Sequence, residues 1–367
     1  MWITSSPTTA KGPAYVALGN FDGVHLGHRE VIRPVLEAAQ AQKAAISQGA
    51  GVDDGIDASV LDLASLALFR GYSDRKFSII NSDGPPDAPQ PSWAPPIATV
   101  LTFYPHPQEY FSGVSRPLLT PIDEKALQLK EMGVDQLVLL PFNQELASLS
   151  PEQFVELILV RHLQARHVSV GIDFRFGCRR SGSIEDLQRL GQRWGFGVTV
   201  VPLLQDGCQG QTSETGSQRI SSSRIRTALE TAELATAEQL LGRPYGLTGR
   251  VVQGQQLGRT IGFPTANLKV PAEKFLPCNG VYSVRVLGVK DDPRPFIAGV
   301  MNIGSRPTVD GTTQTIEVHL LQWSGDLYGQ TLRVVLDRYL RPEQRFESLD
   351  GLKRQIQADC ETALALS

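Results

Sequence analysis

Two histidines three residues apart, His25 and His28, sit in the stretch Gly19-Asn-Phe-Asp-Gly-Val-His-Leu-Gly-His28. An apolar run, Tyr15 to Leu18, precedes the stretch, and a helical pattern continues from Arg29. This order places both imidazoles at a helix N-terminus leaving the carboxyl end of a strand. Unpaired N–H groups and the positive end of the helix dipole suit phosphate there. The glycines permit close backbone approach, and two imidazoles can donate hydrogen bonds to a triphosphate as charge builds on it. The alternative is a structural or zinc-binding pair, although no Cys or third His lies nearby at ligand spacing.

A second constellation lies far along the chain. Residues 249–268 are Gly-rich, with Gly254, Gly258 and Gly262, and end on the oxygen-bearing pair Thr265 and Asn267. Backbone N–H groups of such a loop can cradle phosphate, and hard neutral oxygens suit Mg²⁺. The Lys-Ser/Thr ending of a Walker A loop is absent; taken by composition alone, the stretch also reads as a plain Gly-rich turn. In Thr315-Ile-Glu-Val-His-Leu-Leu321, Ile316, Val318 and Leu320 alternate with Glu317 and His319. A strand with that alternation packs one set and turns the other outward, towards a ligand or solvent.

Other candidates are single residues. His106 stands between prolines in a turn that exposes its imidazole, and taken alone a histidine there is more often structural. Asp173 either caps a turn or holds a ligand group, and Arg175 can pair with phosphate or lie solvated. In Ile220-Ser-Ser-Ser-Arg-Ile-Arg226, Ser222 and Ser223 offer hydroxyls and helix caps while Arg226 offers a cationic fork, or an ordinary exposed arginine. Local sequence assigns no role to Arg341 or Arg345.

The bulk numbers narrow the class. The chain has 367 residues, enough for two or three domains. With 35 Lys and Arg against 38 Asp and Glu, the net charge is −3, so no basic excess points to nucleic acid. Cys178, Cys208, Cys278 and Cys360 form no CxxC pair and read as free thiols in a reducing compartment. The first residues lack the regions of a signal peptide, and the longest near-apolar stretch, Val60 to Phe69, is too short to span a bilayer. The expectation is a cytoplasmic protein with no membrane partner.

The elements that must position these residues fall into two patterns. Strands at Ala14–Leu18, Ile97–Phe103, Gln136–Pro141, His167–Ile172 and Val198–Pro202 alternate with helices at Leu26–Gln42, Asp123–Met132, Pro151–Leu163 and Ser183–Trp194. That alternation predicts an α/β domain with a mostly parallel sheet, over 1–232. Residues 44–96 interrupt it and read as an insertion with a short helix near Ala58–Phe69, and Asp206–Gln218 as a polar surface loop. Over 233–367, short strands at Gly246–Val252, Val281–Leu287, Phe296–Ile303, Thr315–Leu321 and Leu332–Leu336 predict a small antiparallel barrel. A last helix spans Glu343–Ala365, with Phe346, Leu349, Leu352, Ile356, Cys360 and Leu364 as its apolar face.

The motifs carry a resemblance. Gly-x-Phe-Asp-Gly-x-His-x-Gly-His resembles the HxGH element of nucleotidyltransferases, most of all in the adenylyltransferase half of bacterial bifunctional riboflavin kinase/FAD synthetases. Val170-Gly-Ile-Asp-Phe-Arg-Phe-Gly177 and the Ser222 segment resemble further elements of that half. Gly249 to Leu268 is similar to the riboflavin kinase pattern over nearly its whole length. The resemblance implies a Rossmann-like nucleotidyltransferase domain followed by a riboflavin kinase barrel. It implies phosphorylation of riboflavin to FMN and adenylylation of FMN to FAD, with ATP as co-substrate and Mg²⁺ or another divalent metal. Carried over residue by residue, it makes Glu317 the general base of the kinase and Thr265 and Asn267 its metal ligands, with Gly254, Gly258 and Gly262 on phosphate. It makes His25 and His28 catalytic in the other half. It assigns Gly19, Phe21, Asp22, Gly27, Ser222, Ser223 and Arg226 to nucleotide, and His106, Asp173, Arg175 and Arg341 to flavin. The chain departs from the pattern at Ser223, where Thr is usual, and at Ser183, where the family often has Asp. Two other readings use fewer of these residues: a kinase with a silent N-terminal half, and a flavin-binding regulator without catalysis.

Overall fold

The computed structural model describes residues 1–49, 95–206, 218–254, 257–308 and 311–366. Most of the expected insertion with its Ala58–Phe69 helix, most of the Asp206–Gln218 loop, and Gln255-Gln256 lie outside them. Two compact units divide the chain: Met1–Arg116 with Ile122–Arg219, and Pro117–Pro121 with Ile220–Ser367.

In the first unit, β1 (Trp2–Thr4), β2 (Ala14–Leu18), β3 (Ile97–Tyr104), β4 (Gln136–Pro141), β5 (Ala165–Gly171) and β6 (Gly197–Val201) form one sheet. The order is β1-β4-β3-β2-β5-β6, and every neighbouring pair is parallel. Helices α1 (Leu26–Gly49), α2 (Pro107–Ser112), α3 (Ile122–Glu131), α4 (Gln144–Ser148), α5 (Pro151–Phe154) and α6 (Ile184–Trp194) complete it. The strand β2 is apolar on both faces because both are covered. Val16 and Leu18 pack with Phe154, Ile158 and Leu159, whereas Ala17 packs with Val31, Ile32 and Val35 of α1. The segment expected as one helix from Pro151 to Leu163 is α-helical only to Phe154 and continues as a π-helix, Val155–His162. Its residues Val155, Ile158 and Leu159 are fully buried. Ser150 caps α5 and Ser183 caps α6, each in a reciprocal capping box. Ser183 thus supplies a cap where the family often carries Asp.

Strand order sets where a ligand can sit. From β2 the chain moves outward through β3 and β4 and then returns to the opposite side of β2 as β5. The carboxyl ends of β2 and β5 therefore bound the topological switch point of the sheet. The loops that leave those ends are Gly19–His25 and Ile172–Gly177.

The second unit contains α7 (Ser222–Glu230), α8 (Leu234–Leu241) and a closed antiparallel barrel. Its strands are β7 (Gly246–Val252), β8 (Ala266–Lys269), β9 (Gly280–Leu287), β10 (Ile297–Thr308), β11 (Gly311–Leu320) and β12 (Thr331–Arg341), in the order β10-β11-β8-β7-β12-β9. A one-turn helix, α9 (Leu257–Thr260), precedes β8. The division falls at Ile220, ahead of the 233 read from the sequence pattern. Cys278 N donates to the Leu229 carbonyl at 3.1 Å, which joins the end of α7 to the barrel. The strand β8 is absent from the sequence reading because it is only four residues long and follows directly on a Gly-rich turn.

The last helix, α10 (Leu349–Leu366), starts six residues later than expected and buries only part of the predicted face, with Ile356 and Cys360 against the core. Cys360 and Ala363 are buried with Asp359, while Leu349 and Leu364 of the predicted apolar stripe are exposed. An ion pair adds a charged position to the buried side. Arg341 donates from Nη2 to Asp359 at 2.8 Å and from Nε at 3.1 Å, and Gln355 donates to the same carboxylate at 3.0 Å. Burial and the Asp359 carboxylate beside it push the Cys360 thiol up to about 11. Replacing Asp359 by Ala would leave a mostly buried guanidinium without its carboxylate. The expected result is a loss of about 2–3 kcal/mol in the second unit, measured as a lower urea midpoint.

Candidate active sites

The loop between β2 and α1 has an unusual backbone. Phe21 (φ 49°), Gly23 (92°) and Val24 (42°) all lie in the left-handed region, which is costly for a β-branched residue such as Val24. Gly19 has no side chain because a Cβ there would stand 3.2 Å from the Phe21 ring. Phe21, Asp22 and His25 are buried. Gly27 lies in the first turn of α1.

His25 and His28 stack with ring centroids 3.6 Å apart and planes 14° from parallel, and the Phe21 ring meets His28 edge-on. The His25 carbonyl accepts from Arg29 N at 3.0 Å, and its Nδ1 accepts from His28 N at 3.2 Å. His25 thereby caps α1, and when neutral it carries its proton on Nε2. The sequence reading offered the two imidazoles as phosphate donors, with a structural or zinc-binding pair as the alternative. In the fold one of them also builds the helix end.

The other first-unit candidates divide. His106 caps α2, its Nδ1 accepting from Gln108 N at 3.1 Å. Asp173 follows β5 at the switch point and pairs with Arg219, a residue the sequence reading passed over. Arg175 lines an open groove with Ile172, Ile184, Glu185, Gln188 and Val200. Hydrogen bonds from Ser183 and from its own backbone amide hold the Glu185 carboxyl below its usual range, with Arg175 adding to the effect. Among the described residues, no three His, Cys, Asp or Glu side chains stand together as a metal site.

In the second unit, Ser221 and not Ser222 or Ser223 caps α7, accepting from Arg224 N at 3.3 Å. Ser222 and Ser223 are the first two residues of the helix. Arg226 donates to the Pro117 carbonyl at 3.1 Å and lies over the Phe275 ring. Arg341, at the end of β12, holds α10 through Asp359.

The barrel brings its predicted oxygens together. Glu317 pairs in register with Asn267 across β11 and β8 and with Asn302 across β11 and β10. Thr265 Oγ1 lies 3.5 Å from Glu317 Oε2. The predicted alternation is realised: Ile316, Val318 and Leu320 are buried, and Glu317 is half-buried on the other side. The turn before β8 is tightly constrained. Gly262 has φ 93°, and Phe263 N donates to the Gly258 carbonyl at 2.8 Å. His319 Nδ1 donates to the Pro264 carbonyl at 2.7 Å, so it steadies the residue next to Thr265. Gly254 has no room for a side chain, since a Cβ would fall 2.3 Å from the Asn267 amide nitrogen. Three oxygen-bearing side chains beside a Gly-rich turn suit a phosphate with a hard cation.

Comparison with known proteins decides the family. The riboflavin kinase family model matches residues 241–367, and the FAD synthetase model matches 8–47 and 95–222. The chain belongs to the bifunctional riboflavin kinase/FMN adenylyltransferase family. The protein of that name from Escherichia coli K12 is 38% identical over 349 residues, covering 95% of this chain and 91% of that protein. The Pseudomonas fluorescens relative is 37% identical over 351 residues, 95% and 92% of the two chains. A solved structure titled a macrolide-efflux protein from Streptococcus pneumoniae is 26% identical, with a TM-score of 0.73 over 100% of this chain and 99% of that one. Among the described residues, no helix is long and apolar enough to cross a membrane.

The packing of Gly254 on Asn267 yields a test. Gly254→Ala is expected to displace the Asn267 amide and reduce riboflavin phosphorylation by about tenfold or more, because small misplacements at a reacting site are costly. FAD formation from supplied FMN is expected to stay at the parent rate, and measuring the two reactions separately checks both statements.

Proposed function

We propose that the two units carry the family's two transfers at separate sites: riboflavin to FMN in the barrel, and FMN to FAD at the switch point of the sheet. The observation that carries the kinase assignment is the alignment of Glu317 with Asn267 and Thr265 beside a Gly-rich turn. Glu317 accepts the proton of the ribityl 5′-hydroxyl as that oxygen attacks the γ-phosphate of ATP. Gly254, Gly258 and Gly262 keep the backbone close enough to face phosphate. The donor chemistry of Thr265 and Asn267 fits Mg²⁺, which when bound neutralises phosphate charge.

For the second transfer, an FMN phosphate oxygen attacks the α-phosphate of ATP and pyrophosphate leaves, with no protein nucleophile required. His25 and His28 at the head of α1 stabilise the charge that develops on phosphate. Asp173 and Arg175, on the loop after β5, flank the same switch point, and we assign them to the flavin side of the site. The resemblance assigns Ser222, Ser223 and Arg226 to nucleotide phosphate. The resemblance assigns His106 and Arg341 to the flavin, and in the fold His106 also caps α2 while Arg341 also fixes α10. Free thiols at Cys178, Cys278 and Cys360 fit a cytoplasmic enzyme.

Incubation with riboflavin, ATP and Mg²⁺, followed by chromatography of the flavins, is expected to show FMN and then FAD. FMN alone would leave the first unit without its assigned reaction. Glu317→Gln is expected to lower FMN formation by about 10²–10⁴-fold, the usual contribution of a general base. It should leave FAD synthesis from FMN intact. His28→Ala is expected to do the reverse, lowering FAD formation by about 10²-fold or more while sparing the kinase. Equal loss of both activities in either variant would overturn the two-site assignment.

A further inference from the structure

A lysine that no motif singled out lies buried behind the histidine loop. Lys125, in the first turn of α3, is 6% exposed. Its Nζ donates to the Asn20 carbonyl at 2.9 Å, and Thr102 Oγ1 donates to the same oxygen at 3.0 Å. Thr102 is fully buried near the carboxyl end of β3. Asn20 immediately precedes Phe21, the first of the left-handed residues. Burial pushes the Lys125 ammonium down, while the buried Asp22 of the same loop pulls it back up.

An ammonium group is expensive to bury, and an unbranched apolar side chain would fill the space at lower cost. A backbone with three left-handed residues in four persists only where its surroundings hold it. Lys125 and Thr102 supply that hold at one atom, the carbonyl from which the loop turns. The next residues run directly into His25, whose carbonyl and Nδ1 build the end of α1.

We propose that Lys125 is a positioning residue for adenylyl transfer, acting with Thr102 through the Asn20 carbonyl to set the histidine loop. The inference rests on the reading of His25 and His28 as the adenylyl-transfer site. Lys125 touches the loop and not the reacting atoms, so its removal changes how well the transition state is met more than how well ATP binds.

Lys125→Met tests this, because methionine keeps the unbranched shape and most of the length without the charge. The full-length variant is assayed for FAD formation from FMN and ATP, for riboflavin phosphorylation, and for thermal unfolding. The expected result is a fall in kcat for FAD formation of about tenfold or more, with KM for ATP within about threefold and kinase activity and melting temperature near those of the parent. A kcat within about twofold of the parent overturns the proposal. So does a fall in kcat that only tracks loss of folded protein. Should Lys125→Met fail to fold, Thr102→Val decides. It keeps the side-chain shape and removes the second donor to the same carbonyl, and a reduced kcat with unchanged KM supports the proposal while an unchanged kcat overturns it. A parent protein that makes no FAD from FMN would instead overturn the underlying site assignment.

Discussion

The pairing of Glu317 with Asn267 across β11 and β8 is the contact on which the second unit turns. The strand β8 has four residues, yet it joins β7 to β11 and thereby closes the barrel. The same short ladder faces a carboxylate with an amide and brings the Thr265 hydroxyl within 3.5 Å. Closure of the barrel and the meeting of these three side chains therefore share one set of backbone hydrogen bonds. Packing around them leaves little freedom: Gly254 backs onto Asn267, and His319 holds the Pro264 carbonyl. Arrangement before ligand arrives is what phosphoryl transfer needs, since such enzymes act mainly by positioning and charge stabilisation.

The first unit solves an equivalent problem with a parallel sheet. Crossover around β2 leaves a crevice at its carboxyl end, and the loop placed there is held against its own backbone preferences. Its histidines are more interdependent than two separate ligands. His25 caps the helix that carries His28, and the two rings stack. A change at either imidazole is thus felt by the other, and both depend on a carbonyl fixed from β3 and α3.

Much of the architecture was legible because periodicity reports burial. The strands Ala14–Leu18, Gln136–Pro141 and Gly246–Val252 coincide with those observed, each being a run whose apolar spacing matches one or two covered faces. Short elements were not legible. Trp2–Thr4 and Ala266–Lys269 are too brief for a period to show, and their strand character comes from the neighbours they pair with. The final helix was found with part of its face right: Cys360 is buried and Ile356 packs beside it. Its leucine stripe suggested one buried face, whereas the Arg341–Asp359 pair draws a charged position inward and leaves Leu349 and Leu364 exposed. Hydrophobic spacing carries no information about an ion pair eighteen residues apart.

By itself, the sequence determined the two fold classes and the family, because these depend on local spacing and on motifs read along the chain. Tertiary structure alone decided which of the candidate residues meet. It set Glu317 opposite Asn267, gave the cap of α7 to Ser221, made His106 a cap, and buried Lys125 behind the histidine loop. The reason is that a contact between distant residues costs chain entropy which only the packed whole repays. Lys125 within Asp123-Glu-Lys-Ala looks like an ordinary solvated charge until β3 and the loop after β2 close over it.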